Sequence, residues 1–284
     1  MSDHGSVRRD EQWTESGVRL RRAGSRPGRW NWLFLPGGPG LGSESVAGLA
    51  EAAGVPGTAW LVDLPGDGSN RDVSEVPAEP YARWPGVLVE AARALDDVVM
   101  VGHSTGGMYL LSVPELEPHL AGLVLVSSAP HAGWLPAFAE YAARHPIPGI
   151  DEATRQYERE PGDPNLRRLA LASAPWNFTA PFVPEGRALL SRCSYNHAAV
   201  AWSGEHFDDE YRARWAPASL PVLIVSGAED RIVDQSLWQD EPAFTTSNIL
   251  RRRIGSAGHF PWVENPAAVR AAFADLTGRL GGPA

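Results

Sequence analysis

The sequence has 284 residues, of which 43% are hydrophobic and 21% are charged, a composition typical of a soluble globular protein. Its formal net charge of −9 argues against general nucleic-acid binding, because that affinity comes mainly from basic groups that meet phosphates. The single cysteine excludes a disulfide within the chain, and the absence of lysine excludes a Schiff base and a P-loop. The chain has no apolar run near the ~18 residues of a membrane span, and its first fifteen residues hold no signal-peptide-like segment. We therefore expect a cytoplasmic protein with no membrane partner.

Short apolar runs alternate with helical patterns over the first half of the chain, after a floppy tail of about a dozen residues. Six runs that predict strands lie at residues 17–22, 30–35, 59–63, 98–102, 123–127 and 222–226. Helical patterns lie between the early runs, for example at 43–53 and 81–95. Strands that alternate with helices predict an α/β fold with a mostly parallel central sheet that is flanked by helices.

The alternation stops between residues 131 and 216, which we call the inserted segment. It is rich in proline, tryptophan and charge, and helical stretches occur at 135–143 and 193–202. An insertion between parallel strands lands at the carboxyl edge of the sheet, where such folds bind ligands. We predict a helical cap there rather than an independent domain, inserted between core parts at 1–130 and 217–284. Its aromatic side chains are candidates to line an apolar substrate pocket, chiefly Trp134, Trp176, Tyr195 and Trp202.

A nucleophile motif follows the strand predicted at 98–102. The chain there reads Gly-His-Ser-Thr-Gly-Gly, and a helical pattern comes next, which is the context that a G-x-S-x-G turn needs. The turn is tight, so the positions on either side must be small, and Gly102 and Gly106 meet that requirement. Ser104 is therefore the candidate nucleophile, whereas His103 is interpreted as a spacer. The N–H of Thr105 is a candidate oxyanion donor because it follows the nucleophile.

A serine nucleophile needs a base, and the base needs an orienting acid. Asp230 follows the strand predicted at 222–226, and His259 lies on a glycine-rich loop before the last helical pattern at 266–280. This order, serine then aspartate then histidine, is that of the α/β-hydrolases. Glu229 and Asp234 are rival acids. We favour Asp230 over Glu229 because the longer glutamate side chain suits an exposed position.

The second oxyanion donor is expected in the loop at 36–40, after the strand predicted at 30–35. Pro36 and Pro39 have no N–H, so the donor is Gly37, Gly38 or Gly40. We choose Gly38. Such a donor contributes about 2.7–4 kcal/mol to catalysis.

Four motifs together make the chain resemble the α/β-hydrolase superfamily over roughly residues 17–130 and 217–281. They lie at residues 36–40, 62–69, 102–107 and 255–259. The resemblance implies an α/β-hydrolase fold with an eight-stranded sheet and a serine hydrolase that acts on a small-molecule substrate. It also implies that neither a metal nor an organic cofactor takes part.

The motifs divide between subfamilies. The loop at 37–40 is similar to the His-Gly-Gly-Pro-Gly loop of proline iminopeptidases, but Pro36 replaces the histidine and Thr105 stands where those enzymes usually carry tryptophan. Their cap motif, Glu-Asn-His-Tyr, is matched here only by Tyr195-Asn196-His197, without the glutamate. The Asp-Leu-Pro-Gly segment at 63–66 and the elbow look more like esterases.

We therefore expect hydrolysis of a carboxylic ester, thioester or related acyl bond through an acyl-enzyme. Three alternatives stay open at this point. They are a proline-iminopeptidase-like aminopeptidase, a C–C bond hydrolase or cofactor-free oxygenase that uses the His–Asp pair, and a ligand receptor with slow turnover.

Overall fold

A computed structural model describes residues 10–71 and 80–281 of the chain. These residues form one sheet of eight strands in the order β1-β2-β4-β3-β5-β6-β7-β8. The strands are β1 Glu11–Trp13, β2 Arg19–Arg26, β3 Asn31–Leu35, β4 Gly57–Asp63, β5 Val98–His103, β6 Gly122–Val126, β7 Val222–Gly227 and β8 Ile249–Ile254. Strands β3 to β8 run parallel, whereas β1 and β2 pair antiparallel at one edge.

Helices cover both faces of this sheet. They are α1 Ala47–Ala53, α2 Trp84–Arg93, α3 Thr105–Leu111, α4 Trp134–Arg144, α5 Ile150–Arg159, α6 Asp163–Ala172, α7 Ala174–Asn177, α8 Val183–Leu190, α9 His197–His206, α10 Pro261–Glu264 and α11 Pro266–Leu280. Among the described residues, none of these helices has the length and hydropathy to cross a membrane. The α/β-hydrolase fold predicted from the sequence is thus confirmed in its sheet and its flanking helices.

The central strands are apolar throughout because they are buried on both faces. In β5, Val99 and Val101 pack toward α1 and α11, while Val98 and Met100 pack toward α2 and α3. Every residue of β5 is buried. This two-sided burial fixes the strand whose end carries the predicted nucleophile.

The inserted segment holds α4 to α9 and leaves the sheet at the carboxyl end of β6. His131 bridges Arg212 near that edge, and because β6 and β7 are parallel, residues 213–221 then cross back to the amino end of β7. The helix predicted at 193–202 begins later, at His197, because the side chain of Asn196 accepts a hydrogen bond from Ala199 N and caps α9 there. A single bridge between Leu41 and Tyr195 links the segment to the loop after β3.

Two edge strands were not among the six predicted runs. Residues assigned to the tail form β1, which is only three residues long and pairs with β2. Strand β8 carries three consecutive arginines, so its sequence does not show the apolar run that predicted the central strands. Arg252 pairs with Asp275 at 2.8 Å, and Arg251 donates to the carbonyl oxygens of Trp238 and Phe244, so these cations are satisfied within an edge strand.

Candidate active site

Ser104 stands on a tight turn between β5 and α3. Its φ of 51° and ψ of −124° form a conformation that side chains rarely adopt, as expected of a strained nucleophile turn. The neighbours must be glycines: a Cβ on Gly106 would lie 2.3 Å from the Pro36 carbonyl oxygen, and one on Gly102 would lie 2.5 Å from the Gly107 Cα. Packing around the turn therefore forces the strain, and the serine is held at the carboxyl end of β5.

His259 and Asp230 meet beside this turn. The His259 Nδ1 lies 3.1 Å from both carboxylate oxygens of Asp230, and the Asp230 side chain is fully buried. Asp230 Oδ1 also accepts hydrogen bonds from the N–H groups of Ile232 and Val233, which orient the carboxylate. Because an ionised carboxylate only accepts, Nδ1 carries the hydrogen and Nε2 is left as the basic nitrogen.

The rival acids lie elsewhere. Glu229 is exposed and its carboxylate is 3.9 Å from the Arg231 guanidinium. Asp234 is also exposed and accepts a hydrogen bond from Ser236 N. Of the three acids considered from the sequence, Asp230 is the one that the fold brings to His259.

The loop at 36–40 passes tightly over the nucleophile. A Cβ on Gly37 would lie 2.8 Å from the Ser104 Cβ. The Thr105 hydroxyl donates to the Gly38 carbonyl oxygen at 3.3 Å, which ties the loop to the start of α3. The N–H of Thr105 is the first of α3, and the first N–H groups of a helix have no partner within it. Gly38, with a φ of 124°, lines the same cavity as Ser104. Both expected oxyanion donors therefore belong to residues beside the serine.

His103 does more than separate two catalytic positions, which is how its sequence position was interpreted. Its ring is buried, and its Nε2 lies 3.1 Å from the His259 carbonyl oxygen. Burial, together with the nearby His259, lowers the pKa of His103 well below 6.5, so the ring is neutral and donates from Nε2. The His259 N–H donates in turn to the Asn177 carbonyl oxygen at 2.8 Å. Both backbone groups of His259 are thus held.

A cavity of about 280 Å³ opens in front of Ser104 and His259. Its wall combines the core loop with apolar side chains of the inserted segment. In the part of the chain that the structure describes, the wall includes no Asp, Glu or Arg. The residues that line it are Gly38, Pro39, Gly40, Leu41, His103, Ser104, Trp134, Leu166, Leu169, Ala170, Ser173, Asn177, Leu190, Tyr195, Val200, Ile232, His259 and Phe260.

Comparison with known proteins decides the family. The model of the alpha/beta hydrolase family matches residues 27–272, most of the chain. The chain belongs to the alpha/beta hydrolase family.

This alpha/beta hydrolase is similar to curated and solved relatives with different activities. It is 39% identical over 70 residues to a pimeloyl-[acyl-carrier protein] methyl ester esterase of Xanthomonas oryzae, a match that covers 25% of this chain and 26% of that one. The protein of the same name in Xylella fastidiosa is 25% identical over 253 residues, 85% of this chain and 92% of that one. A proline iminopeptidase-related protein from Thermus thermophilus superposes with a TM-score of 0.69 at 20% identity, covering 95% and 97% of the two chains. The structural likeness shows the fold alone.

Of the four pocket aromatics expected from the sequence, the hydrolase places Trp134 and Tyr195 on the cavity wall. Trp176 and Trp202 do not line this cavity. Trp176 packs edge-on against Phe138 and donates to the His145 carbonyl oxygen at 2.9 Å. Trp202 faces a second cavity of about 500 Å³, because it lies about 200° around α9 from Val200, which does reach the first cavity.

No cluster of three or more His, Cys, Asp or Glu side chains in the described ranges of this hydrolase has an arrangement that could hold a metal ion.

Proposed function

We propose that the protein is a serine hydrolase that cleaves a carboxylic ester, thioester or related acyl bond of a small, partly apolar substrate. The observation that carries the proposal is the wall of the 280 Å³ cavity, on which Ser104, His259 and Gly38 stand among apolar side chains. Such a cavity suits an uncharged acyl group whose carbonyl carbon reaches the serine.

The proposed reaction gives each of these groups a role. His259 Nε2 takes the Ser104 proton as the hydroxyl oxygen attacks the carbonyl carbon, and the bond from Nδ1 to Asp230 stabilises the imidazolium. The N–H groups of Thr105 and Gly38 stabilise the oxyanion of the tetrahedral intermediate. The imidazolium then protonates the leaving group as its bond to the acyl carbon breaks. A water molecule, activated by the same histidine, hydrolyses the acyl-enzyme and releases the acid.

The inserted segment is proposed to act as a cap that sets the choice of substrate. It supplies Leu166, Leu169 and Leu190 to the wall of the cavity that Ser104 and His259 also line. Its apolar surface would exclude water from the acyl group, and donors act more strongly in a dry site.

The aminopeptidase alternative has less support. A charged substrate amine needs a carboxylate in the pocket, because an unpaired buried charge is costly. Among the described residues, no Asp or Glu lines the cavity. Two carboxylates of the inserted segment are engaged elsewhere: Glu152 pairs with Arg155 and Arg159, and Asp163 pairs with Arg71. In the stretch that resembles the iminopeptidase motif, the Asn196 side chain turns to Asp67 and Gly66. The relatives named as esterases are consistent with this preference.

A panel of p-nitrophenyl esters with graded acyl length, run beside proline p-nitroanilide, tests the proposal. We expect turnover of short and medium acyl esters and only background cleavage of the anilide. Ser104→Ala is the matched control and should abolish turnover. Efficient cleavage of the anilide with weak ester activity would favour the aminopeptidase, and activity that survives Ser104→Ala would favour chemistry by the His259–Asp230 pair alone.

A further inference from the structure

Glu264 is a buried carboxylate outside the groups to which the proposed reaction assigns a role. It ends α10, is 8% exposed, and accepts three hydrogen bonds. The N–H and the hydroxyl of Thr179 donate to Oε1 at 2.7 and 2.6 Å, and the N–H of Gly258 donates to Oε2. Burying a carboxylate costs free energy unless it is hydrogen-bonded, so all three donors matter to it.

The donors come from two different parts of the fold. Thr179 belongs to the inserted segment, just after α7, whereas Gly258 directly precedes His259. Glu264 therefore joins the segment that walls the cavity to the loop that carries the proposed base. Its contacts are neutral donors rather than a basic side chain, so the carboxylate acts here as a two-sided acceptor.

The two parts interlock around this carboxylate. The His259 N–H donates to the Asn177 carbonyl oxygen at 2.8 Å, and the rings of Phe178 and Phe260 stack with centroids 4.9 Å apart. A Cβ on Gly258 would lie 2.5 Å from the Asn177 carbonyl oxygen, so the loop fits only with glycine at this position. The backbone of His259 is thus set by residues of the inserted segment on one side and by Glu264 on the other.

We propose that Glu264 is a positioning residue for His259 and acts through its bond to Gly258. Because Glu264 also binds Thr179, we propose that the position of His259 depends on how the inserted segment is placed. The inference rests on the proposed role of His259 as the base. Asp230 orients the imidazole ring at Nδ1, but the ring reaches Ser104 only if its backbone stays in place. Displacement of a catalytic group by about 1 Å can lower the rate on the order of 10²-fold.

Glu264→Gln tests the inference with little change of shape. A carboxamide has one accepting oxygen and one donating nitrogen, so in either orientation its NH₂ group faces a backbone N–H, that of Gly258 or that of Thr179. We expect kcat to fall about 10- to 100-fold while KM changes far less, because the lost geometry matters in the transition state. Thr179→Val removes one of the three bonds and should lower kcat less, in the same direction.

The matched control is Asn265→Ala, at the next residue. The Asn265 side chain accepts from Ala268 N and caps α11, and its Nδ2 donates to the Gly255 carbonyl oxygen at 3.3 Å, at the start of the base loop. Among the described residues it forms no hydrogen bond with Gly258 or His259, the two positions that the inference concerns. Its loss should lower the melting temperature, as removal of a helix cap does. We expect its kcat to equal that of the wild type when all proteins are assayed on the same p-nitrophenyl ester, well below their melting temperatures.

The outcomes separate the inference from the proposed function. Wild-type kcat in Glu264→Gln, with an inactive His259→Ala, would overturn the positioning role and leave the base intact. An equal loss of kcat in Asn265→Ala would also overturn it, because destabilisation alone would then explain the effect. Full activity in His259→Ala would overturn the proposed function and this inference with it. If Glu264→Gln does not fold, Thr179→Val decides: a lowered kcat supports the role and an unchanged one refutes it.

Discussion

Asp67 should make the protein less stable at neutral pH than at acidic pH. It lies in the loop after β4 and is buried, at 6% exposure. Burial raises its pKa from 3.8 to about 6, and the hydrogen bond from Asn196 Nδ2, 2.9 Å long, together with the nearby Arg71, offsets this only in part. The folded protein therefore disfavours the ionised carboxylate that the unfolded chain accepts freely.

The size and sign of the effect follow from these two pKa values. Each pH unit between the unfolded value of 3.8 and the folded value of about 6 is equivalent to about 1.4 kcal/mol, or about 3 kcal/mol in total. Because the folded pKa is the higher one, the contribution is fully present below pH 3.8 and is lost as the pH rises through about 6. Asp67→Asn is neutral at every pH and still offers an oxygen to Asn196. It should keep the contribution at pH 8.

Urea unfolding of the wild type and Asp67→Asn at pH 4, 6 and 8 measures this directly. We expect the variant to be more stable at pH 8 by up to about 3 kcal/mol, and the difference to fall below about 1 kcal/mol at pH 4. Asp240→Asn, a change at an exposed aspartate, is the control and should show no such trend. A difference that is the same at all three pH values, or a variant that is less stable at pH 8, would refute the reasoning.

Three further predictions concern the proposed site. Asp230→Asn should lower kcat on the order of 10⁴-fold, as wrong-tautomer variants do, and Glu229→Gln should change kcat little. The reverse ranking in steady-state assays would assign the orienting acid to Glu229. Leu169→Ala should shift kcat/KM between short and long acyl esters by about 1–3 kcal/mol, and Trp176→Phe, which lies away from the cavity, should not; equal shifts would argue against the cap. Gly106→Ala should lower the melting temperature and the activity together, because its Cβ would lie 2.3 Å from the Pro36 carbonyl oxygen, and an unchanged melting curve would contradict this.

Much of the sheet was predictable because its central strands are continuous apolar runs. The run predicted at 98–102 is β5, Val98–His103, and that at 222–226 is β7, Val222–Gly227. Burial on both faces produces such runs directly. The edge strands β1 and β8 lack this signal, since each is paired on one side only and carries polar residues whose partners lie far along the chain.

Some residues of the candidate site were predictable from the sequence and others were not. Ser104, Asp230 and His259 have local signals: a glycine-flanked turn and positions just past the carboxyl ends of strands. Glu264 has none, because its partners Thr179 and Gly258 come together only when the inserted segment packs on the core.

Helix rotation explains why Trp176 and Trp202 do not line the cavity at Ser104. Composition alone marks Trp176 and Trp202 as candidates for an apolar pocket. Which way each side chain points depends on how its helix is rotated against its neighbours. Helix α7 has only four residues, and the apolar residues of α9 do not gather on one face, so the sequence does not reveal either rotation.

The central claim is that Ser104 is the nucleophile that becomes acylated. Labelling with a fluorophosphonate probe, followed by mass spectrometry of the intact protein and its peptides, tests it most directly. We predict one adduct per chain on Ser104, no adduct in Ser104→Ala, and much slower labelling in His259→Ala. Labelling that persists at full rate in Ser104→Ala, or that maps to another residue in the wild type, would contradict the account.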